Sequence, residues 1–173
     1  MKTTNAKLNI IGATDYVDLP ELGWFKAHAR VDSGATGSSI HCSSVKLIKE
    51  GDQEMLLVKL DSKRGAPEHT FTVTSFKETI VKNSSGLAEK RFVIKTIIEL
   101  FGRKIRTEFS LANRKKMRYP VLLGRKLLKG RFLVDVSQKD LSANRIITVE
   151  NTEIHSRRLR NIKTQPHSFK LIE

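Results

Sequence analysis

Cysteine, long apolar runs and aromatic residues are all scarce in this sequence of 173 residues. Cys42 is the single cysteine, so no internal disulfide can form, which fits a reducing compartment. No stretch approaches the ~20 apolar residues that a membrane helix needs. Asn5, Asp15 and Asp18 interrupt the N-terminal segment before it reaches the length of a signal peptide. We therefore expect a soluble, cytoplasmic protein with no membrane partner.

Acidic side chains are also few, with 18 Asp and Glu against 32 Lys and Arg, so the formal net charge is +14. Such a charge attracts polyanions, but it does not distinguish nucleic acid, an anionic surface and an acidic peptide. Residues 114–131 carry eight Lys or Arg and no acid. This stretch is either a solvated basic face or the rim of a groove that prefers negatively charged substrates.

The length predicts one domain, which we place at residues 1–150, large enough to form a core without a disulfide or a metal. Residues 151–173 lose the apolar pattern and gather arginine and lysine. We interpret this last segment as a basic C-terminal tail.

Most of the chain has the pattern of short strands separated by turn residues. Apolar alternation or β-branched runs predict strands at 24–32, 54–60, 69–76, 78–82, 90–100 and 103–111. Turn residues cluster at 61–67, 83–86 and 101–103. Closely spaced strands of this kind favour an all-β barrel or sandwich. The one convincing helical piece is short and lies around residues 125–129.

Asp32 follows an apolar strand and is followed by Ser33 and Gly34. Asp, Ser and Gly are common turn residues, so the end of a strand is the simplest interpretation of these three. A second apolar strand, at 119–123, leads directly into Gly124. Because glycine has no Cβ, another backbone segment can approach closely there.

These segments resemble the retropepsin-like aspartic proteases, whose signature combines Asp-Thr/Ser-Gly-Ala with a later apolar run and Gly-Arg. Here the two parts are "VDSGA" at 31–35 and "VLLGRKLL" at 121–128. Within that superfamily the chain is most similar to the small bacterial family often labelled "ATP-dependent zinc protease". That similarity includes "IGATDYVDLPELG", "DSGATGSSIHC", "VKNSSGLAEKRFV" and "YPVLLGRKLLKGRFLVDVS", and it covers roughly residues 10–137.

The resemblance implies a retropepsin-like closed barrel of short strands, with one short helix after the Leu-Leu-Gly-Arg segment. It also implies an aspartic peptidase in which two carboxylates share one proton and activate water. The implied catalytic residue is Asp32. The residues implied to support the active site are Ser33, whose hydroxyl helps lock two active-site loops together, Gly34 and Ala35 on the groove floor, Gly124 and Arg125.

The chain contains one such acidic motif. Asp52, Asp61, Asp135 and Asp140 lack the apolar strand followed by Ser/Thr-Gly. If the mechanism applies, the second carboxylate must come from another chain. We therefore expect a homodimer with one active site on its two-fold axis.

Retropepsins close a β-hairpin flap over the substrate, and two segments of this chain are candidates for it. The resemblance favours Asn83, Ser84, Ser85 and Gly86, which lie between two predicted strands. Residues 61–67 are the alternative. Each segment is equally compatible with an ordinary hairpin turn.

One departure concerns the residue after the Asp-Ser-Gly-Ala motif. The retroviral enzymes have an acid there that pairs with the later arginine, whereas this chain has Thr36. Arg125 therefore lacks that partner. A contact within its own subunit, such as an ion pair or a helix-start contact, and a role at the dimer contact both remain open.

The family label mentions zinc and ATP, but the sequence predicts no metal site and no cofactor. It has no His-Glu-x-x-His, Cys-x-x-Cys or phosphate-binding Gly-x-x-x-x-Gly-Lys-Ser/Thr motif. His41 and Cys42 are adjacent, and neighbours in a strand point to opposite faces. We interpret Cys42 as a small buried residue and not as a nucleophile.

The resemblance also links the family to ligases that add glutamates to the C-terminal tail of a ribosomal protein, and to processing of those tails. We therefore expect an acidic, poly-glutamate peptide or ribosomal-protein tail as the substrate. The alternative function is a non-catalytic basic β-barrel module that binds RNA or the ribosome. Aromatic residues are only 6% and most Phe fit apolar strand patterns, which disfavours nucleic acid. A pseudo-enzyme is the third hypothesis, which the intact Asp-Ser-Gly-Ala segment disfavours.

Overall fold

The structure, a computed structural model, describes residues 8–60, 68–82, 86 and 88–143. A short helix, α1 (Arg125–Leu128), follows the eleventh strand, and a single 3-10 turn (Pro20–Leu22) joins the second and third. In chain order the strands are β1 (Asn9–Ile11), β2 (Thr14–Leu19), β3 (Trp24–Val31), β4 (Ser38–His41), β5 (Ser44–Glu50), β6 (Gln53–Lys59), β7 (Thr70–Val73), β8 (Phe76–Lys82), β9 (Ala88–Leu100), β10 (Arg103–Ala112), β11 (Val121–Leu123) and β12 (Phe132–Val134).

Six strands close into a barrel in the order β4, β11, β3, β2, β9 and β10, and β10 pairs back onto β4. The prediction of an all-β, retropepsin-like closed barrel is confirmed, as is the short helix after the Leu-Leu-Gly-Arg segment. Among the described residues, the structure has no helix that is both long and apolar enough to cross a bilayer.

Alternation along the strands explains how the barrel forms its core. In β3, Ala27, Ala29 and Val31 are buried, whereas His28 and Arg30 face outward. The core is completed by large side chains of other strands, including Phe109 of β10. Strands whose side chains alternate in this way have one face in the core and the other in solvent.

The turn at 101–103 is a two-residue hairpin loop. Leu100 pairs with Arg103, and both Phe101 (φ 54°) and Gly102 (φ 70°) have left-handed backbone conformations. This is the type I′ geometry, whose twist matches that of the flanking strands. It joins β9 and β10, which pair over eight residue positions from Arg103↔Leu100 to Ser110↔Val93.

Strand β11 enters the barrel between β3 and β4. It is parallel to β3, with Val121 opposite Ala29, and antiparallel to β4, with Val121 opposite Ile40. Because β3 and β11 run in the same direction, their ends lie side by side. Asp32 and Gly124, each of which follows one of these strands, are therefore brought to the same edge of the barrel.

The remaining strands lie outside the closed barrel. β8 pairs with the first half of β9, so that the β8–β9 hairpin extends from the barrel wall. β5, β6 and β7 form a separate antiparallel sheet, and β1 pairs in parallel with β12.

The predicted strands agree with the structure except at 69–76. That segment was expected to be one strand, but β7 ends at Val73 and β8 begins at Phe76 after a bend. The expectation was wrong because the two strands pair with different sheets. The segment at 151–173, interpreted as a basic tail, lies outside the described residues, and the domain boundary at 150 stays a prediction.

Candidate active site

Asp32 lies directly after β3 and is half-buried. Its amide donates to the carbonyl of Leu123, the last residue of β11, at 3.0 Å. Its carboxylate oxygen Oδ1 accepts hydrogen bonds from the amides of Gly34 (2.9 Å) and Ala35 (3.1 Å). The carboxylate is therefore held in place by the backbone of its own loop.

The small size of Gly34 is required by this arrangement. A Cβ at Gly34 would lie 3.2 Å from Oδ1 of Asp32, a distance that crowds the carboxylate. Ser33, between the two, is exposed. The Asp-Ser-Gly segment thus allows backbone amides to reach the carboxylate without interference from side chains.

Gly124 provides the close approach that its position after an apolar strand predicts. A Cβ at Gly124 would collide with the carbonyl of Gly37 and lie 3.0 Å from that of Ala35. The Gly124 amide donates to the hydroxyl of buried Ser38 at 3.1 Å. The loop between β3 and β4, residues 32–37 (the Asp32 loop), and the start of α1 are therefore packed backbone against backbone.

The first amides of α1 extend this contact. The amide of Arg125 donates to the carbonyl of Ala35 at 2.9 Å, and that of Lys126 donates to the carbonyl of Thr36 at 3.0 Å. Amides at the start of a helix have no partner inside the helix. Here the Asp32 loop supplies the acceptors.

The guanidinium of Arg125 binds the same loop within the subunit. Its Nη1 donates to the carbonyls of Ser33 (3.0 Å) and Gly34 (2.8 Å), and its Nη2 donates to the hydroxyl of Thr36 (3.0 Å). Thr36 therefore accepts a hydrogen bond from this arginine through its hydroxyl group, at the position where the retroviral enzymes have a carboxylate. The sequence left open whether Arg125 makes a contact within its own subunit or acts at the dimer contact. The hydrogen bonds described here lie within its own subunit.

A groove of about 500 Å³ lies between the Asp32 loop and the β8–β9 hairpin. Its lining includes one residue from each of five neighbouring strands, and each of these residues is directly paired with the next. In strand order they are Lys77, Val93, Ser110, Ser39 and Leu122. Asp32 itself is not part of the lining, but Gly34 and Ala35, whose amides bind its carboxylate, are. The carboxylate thus lies at the border of the groove.

The favoured flap segment lies in the sequence between β8 and β9, which pair as a hairpin. Asn83, Ser84 and Ser85 lie outside the described residues, and Gly86 is exposed with φ +79°. The two strands that flank the segment line the groove through Ile80 of β8, Arg91 of β9 and their neighbours. The alternative segment, 61–67, also lies outside the described residues, and no described residue of β6 or β7 lines the groove.

The charged lining of the groove is mostly positive. Among the residues that the structure describes, four basic side chains and one acid, Glu108, line it; the basic ones are Lys77, Arg91, Arg114 and Lys126. The hydrogen bond from Lys77 lowers the pKa of Glu108 below its ordinary value, and the charges of Lys77, Lys126 and Lys95 lower it further. An anionic segment of a peptide would find a favourable potential here.

Sequence reasoning singled out only part of this groove. The basic stretch at 114–131 includes Arg114 and Lys126, but Lys77 and Glu108 were not candidates. The alternation of β10 indicates that Glu108 faces outward beside buried Phe109. It does not indicate which lysines of distant segments meet it.

Within the described ranges, no three His, Cys, Asp or Glu side chains cluster in a way that could hold a metal ion. His41 is buried, and its Nδ1 accepts a hydrogen bond from the amide of Arg114 at 2.9 Å. Cys42 is buried in the hydrophobic core, which agrees with its interpretation as a small buried residue.

Comparisons with known proteins agree with the fold and the motifs. A family model described as "Retropepsin-like aspartic endopeptidase RimB" matches residues 10–145. Two curated relatives, from Shewanella pealeana and Desulfotalea psychrophila, are each 34% identical to the chain, over 131 and 128 residues respectively, and are named "Probable alpha-L-glutamate ligase". These matches cover 75% and 73% of this chain but only 29% and 28% of the relatives, so the chain spans less than a third of their length.

A solved structure has a similar fold. It is a Legionella pneumophila protein, Lpg0085, described as having unknown function, and it superposes with a TM-score of 0.62 at 23% identity. The match covers 78% of this chain and 98% of that one.

Proposed function

Because the chain belongs to the RimB-like family of retropepsin-like aspartic endopeptidases, we propose that it is an aspartic peptidase that acts as a homodimer. Each subunit supplies one Asp32. The observation that carries the proposal is the bracing of this carboxylate by the Gly34 and Ala35 amides, with Arg125 bound to the same loop. We place the reaction in the cytoplasm, which the single, buried Cys42 supports.

The chemistry requires two carboxylates. Two such groups about 3 Å apart share one proton, because like charges at that distance do not both ionise. The ionised carboxylate takes a proton from water, and the protonated one donates a hydrogen bond to the peptide carbonyl, which polarises it. The chain has one Asp-Ser-Gly-Ala motif, so the second carboxylate comes from the partner across a two-fold axis.

The other site residues support this pair. Gly34 and Ala35 orient the carboxylate and form the groove floor, while Gly124 and Arg125 hold the loop against α1. The exposed hydroxyl of Ser33 is available to the second loop. The β8–β9 hairpin forms one wall of the groove, and its closure over a bound peptide would exclude bulk solvent while the attacking water stays between the two carboxylates.

An acidic peptide is the proposed substrate. The groove lining has four basic side chains and one acidic one, and the chain has a net charge of +14. The curated relatives are named as probable glutamate ligases. A glutamate-rich peptide, such as a glutamate-extended ribosomal-protein tail, is therefore the acidic substrate that we propose. Opposite charges raise the rate of encounter most at low salt.

Replacement of Asp32 tests the proposed chemistry. We expect Asp32→Asn to lower cleavage of a glutamate-extended peptide at least about 100-fold, since it removes the proton-transferring group. Asp52→Asn is the matched control, because Asp52 is an exposed acid in the turn between β5 and β6. Full activity in Asp32→Asn would refute the aspartic mechanism.

Comparison of two peptides tests the proposed substrate. A glutamate-extended peptide should be cleaved faster than the same peptide without glutamates, and the difference should shrink as salt rises. Equal cleavage of both peptides, insensitive to salt, would argue against an acidic substrate while leaving the peptidase proposal intact.

A second candidate function is RNA binding, and one surface favours it. Tyr16 and His28 stack on the outer barrel face with ring centroids 4.5 Å apart, and Tyr119 lies beside them. The guanidinium carbons of Arg30 and Arg118 lie 6.0 and 5.5 Å from the Tyr119 ring centroid. Aromatic and basic groups together suit single-stranded nucleic acid. Asp32→Ala separates the functions, because it should abolish proteolysis and leave RNA affinity unchanged.

A further inference from the structure

Glu108 of β10 joins two lysines that line the groove. Its Oε1 lies 2.6 Å from Nζ of Lys77, and its Oε2 lies 3.7 Å from Nζ of Lys126. All three side chains belong to the groove lining. One carboxylate thus interacts with two ammonium groups inside the space where a substrate would bind.

The two lysines come from opposite sides of the groove. Lys77 is carried by β8, one strand of the hairpin that forms one wall of the groove, and Lys126 is carried by α1, which is bound to the Asp32 loop. Because Glu108 interacts with both lysines, it connects the β8–β9 hairpin to α1. Two ammonium groups on either side of one carboxylate are also the arrangement that would bind a carboxylate from a ligand.

A third lysine provides an alternative partner for Glu108. Lys95 of β9 lies directly opposite Glu108 in the β9–β10 pairing, and its charge already acts on the Glu108 carboxylate. Opposite residues in an antiparallel pair have Cβ atoms about 5 Å apart and share a face of the sheet. Lys95 does not line the groove. Glu108 can therefore turn away from Lys77 and Lys126 and still keep a cationic neighbour.

We propose that Lys77 and Lys126 form an anion subsite that determines substrate specificity, and that Glu108 occupies this subsite until a substrate binds. A carboxylate side chain of the bound peptide takes this subsite, and Glu108 turns to Lys95. A neutral side chain leaves the internal pair in place and gains nothing there. This inference rests on the proposed preference for acidic peptides and names the residues that create it.

Binding to a protein that cannot cleave tests the inference. Asp32→Asn serves as the background, and the probes are fluorescently labelled hexaglutamate and hexaglutamine, followed by fluorescence anisotropy at low salt. Each partly exposed ion pair is worth up to about 1 kcal/mol, so Glu108→Gln should tighten hexaglutamate binding roughly three- to tenfold. Hexaglutamine binding should change less than about twofold.

Glu78→Gln is the matched control for net charge. Glu78 lies on β8, pairs with Lys90 at 2.5 Å and does not line the groove beside the Asp32 loop. Both variants raise the net charge by one, so a general field effect would strengthen hexaglutamate binding equally. Equal effects of the two variants, or weaker binding in Glu108→Gln, would overturn the inference.

A second pair of variants covers the case in which Glu108→Gln does not fold. Lys126→Met should weaken hexaglutamate binding and leave hexaglutamine binding unchanged. Lys129→Met removes an exposed lysine at the other end of α1, outside the groove lining, and should have a smaller effect. Equal weakening by both would overturn the inference. Because binding is measured separately from cleavage, a failure of this inference is distinguishable from a failure of the proposed peptidase activity.

Discussion

Gly124 is the residue at which the Asp32 loop and the start of α1 come closest. The carbonyls of Gly37 and Ala35 occupy the space that a side chain at position 124 would need. These are backbone atoms, which cannot move away as the end of a flexible side chain could. The identity of this residue is therefore set by steric exclusion, not by backbone conformation.

Gly124→Ala should lower the free energy of unfolding by about 1–3 kcal/mol, because the added Cβ forces two backbone segments apart. Denaturant unfolding measures the change. Gly37→Ala is the control, since a Cβ at Gly37 would meet no atom within 4 Å, and we expect a change within about 0.5 kcal/mol. Similar losses for both variants would contradict the close approach.

Asp15 is a fully buried carboxyl that the proposed mechanism does not use. Burial raises its pKa above the ordinary value, although hydrogen bonds from Ser142 and the Tyr16 amide oppose this shift. Its Oδ1 accepts from the Tyr16 amide at 2.9 Å and from both the amide and the hydroxyl of Ser142. Asp15 thus connects the segment after β12 to β2. The free-energy cost of burying its carboxyl group depends on whether that group is protonated.

The contribution of Asp15 to stability should fall as pH rises. From pH 3.8 upward the unfolded chain ionises first, so the free energy of unfolding decreases until the raised pKa of the folded state is passed. The advantage of the wild type over Asp15→Asn should therefore shrink as pH rises above 3.8, until the raised pKa of the folded state is passed. Denaturant unfolding across this range provides the measurement.

Glu21 offers a control with the opposite sign. Burial opposes the shift, but hydrogen bonds from Thr96, the Ile97 amide and Arg106 lower its pKa below 4.5. The advantage of the wild type over Glu21→Gln should grow as pH rises toward 4.5. A pH-independent difference for Asp15→Asn would show that its pKa is not raised.

At the scale of elements, the β8–β9 hairpin forms one wall of the groove and is continuous with the barrel. β9 pairs with β8 through its first half and with β10 through its second half. The base of the hairpin is therefore part of the closed sheet. Ile80 of β8 lines the groove and is 71% exposed, although it is a large apolar side chain. An exposed apolar residue at such a place suits contact with a bound peptide.

Ile80→Ser should raise KM for the peptide roughly three- to tenfold, because the bound peptide loses an apolar contact, and should leave thermal stability unchanged. Leu47→Ser is the matched control. Leu47 is 46% exposed on β5, in the separate sheet, and does not line the groove. Equal KM values for the two variants would show that this hairpin does not contact substrate.

At the scale of the whole molecule, the chain carries half of the proposed catalytic pair. Asp32 is the carboxylate that follows a barrel strand at the border of the groove, and Glu108, the one acid in the groove lining, is engaged with Lys77 and Lys126. In the proposed homodimer, a second Asp32 from the partner would complete the pair without a further acidic motif in the sequence.

Mixing wild-type protein with an equal amount of Asp32→Asn protein tests the shared site. After subunit exchange, a site built from two chains should retain about a quarter of the activity of the same total amount of wild type, since mixed dimers have one aspartate. A site contained in one chain should retain about half. Activity at different mixing ratios distinguishes the two curves, and a linear dependence on the wild-type fraction would refute the shared site.

The sequence predicted most of the long strands and the short helix, because alternation and turn residues are local properties. It did not predict β1, β2, β4, β5 and β12. In β4 all four residues are buried, so no alternation marks it, and β1 and β12 are three-residue strands held by each other. Such strands are determined by their partners and leave little local signal.

The candidate site divides in the same way. The sequence alone determined the Asp-Ser-Gly-Ala loop, the glycine after β11 and the family, because these depend on the order and size of neighbouring residues. Only the tertiary structure decided that Arg125 binds the carbonyls of Ser33 and Gly34, and that Lys77 and Lys126 meet Glu108 across the groove. Those contacts join residues far apart in the chain, and they exist because the closed barrel and the paired hairpin bring the segments together.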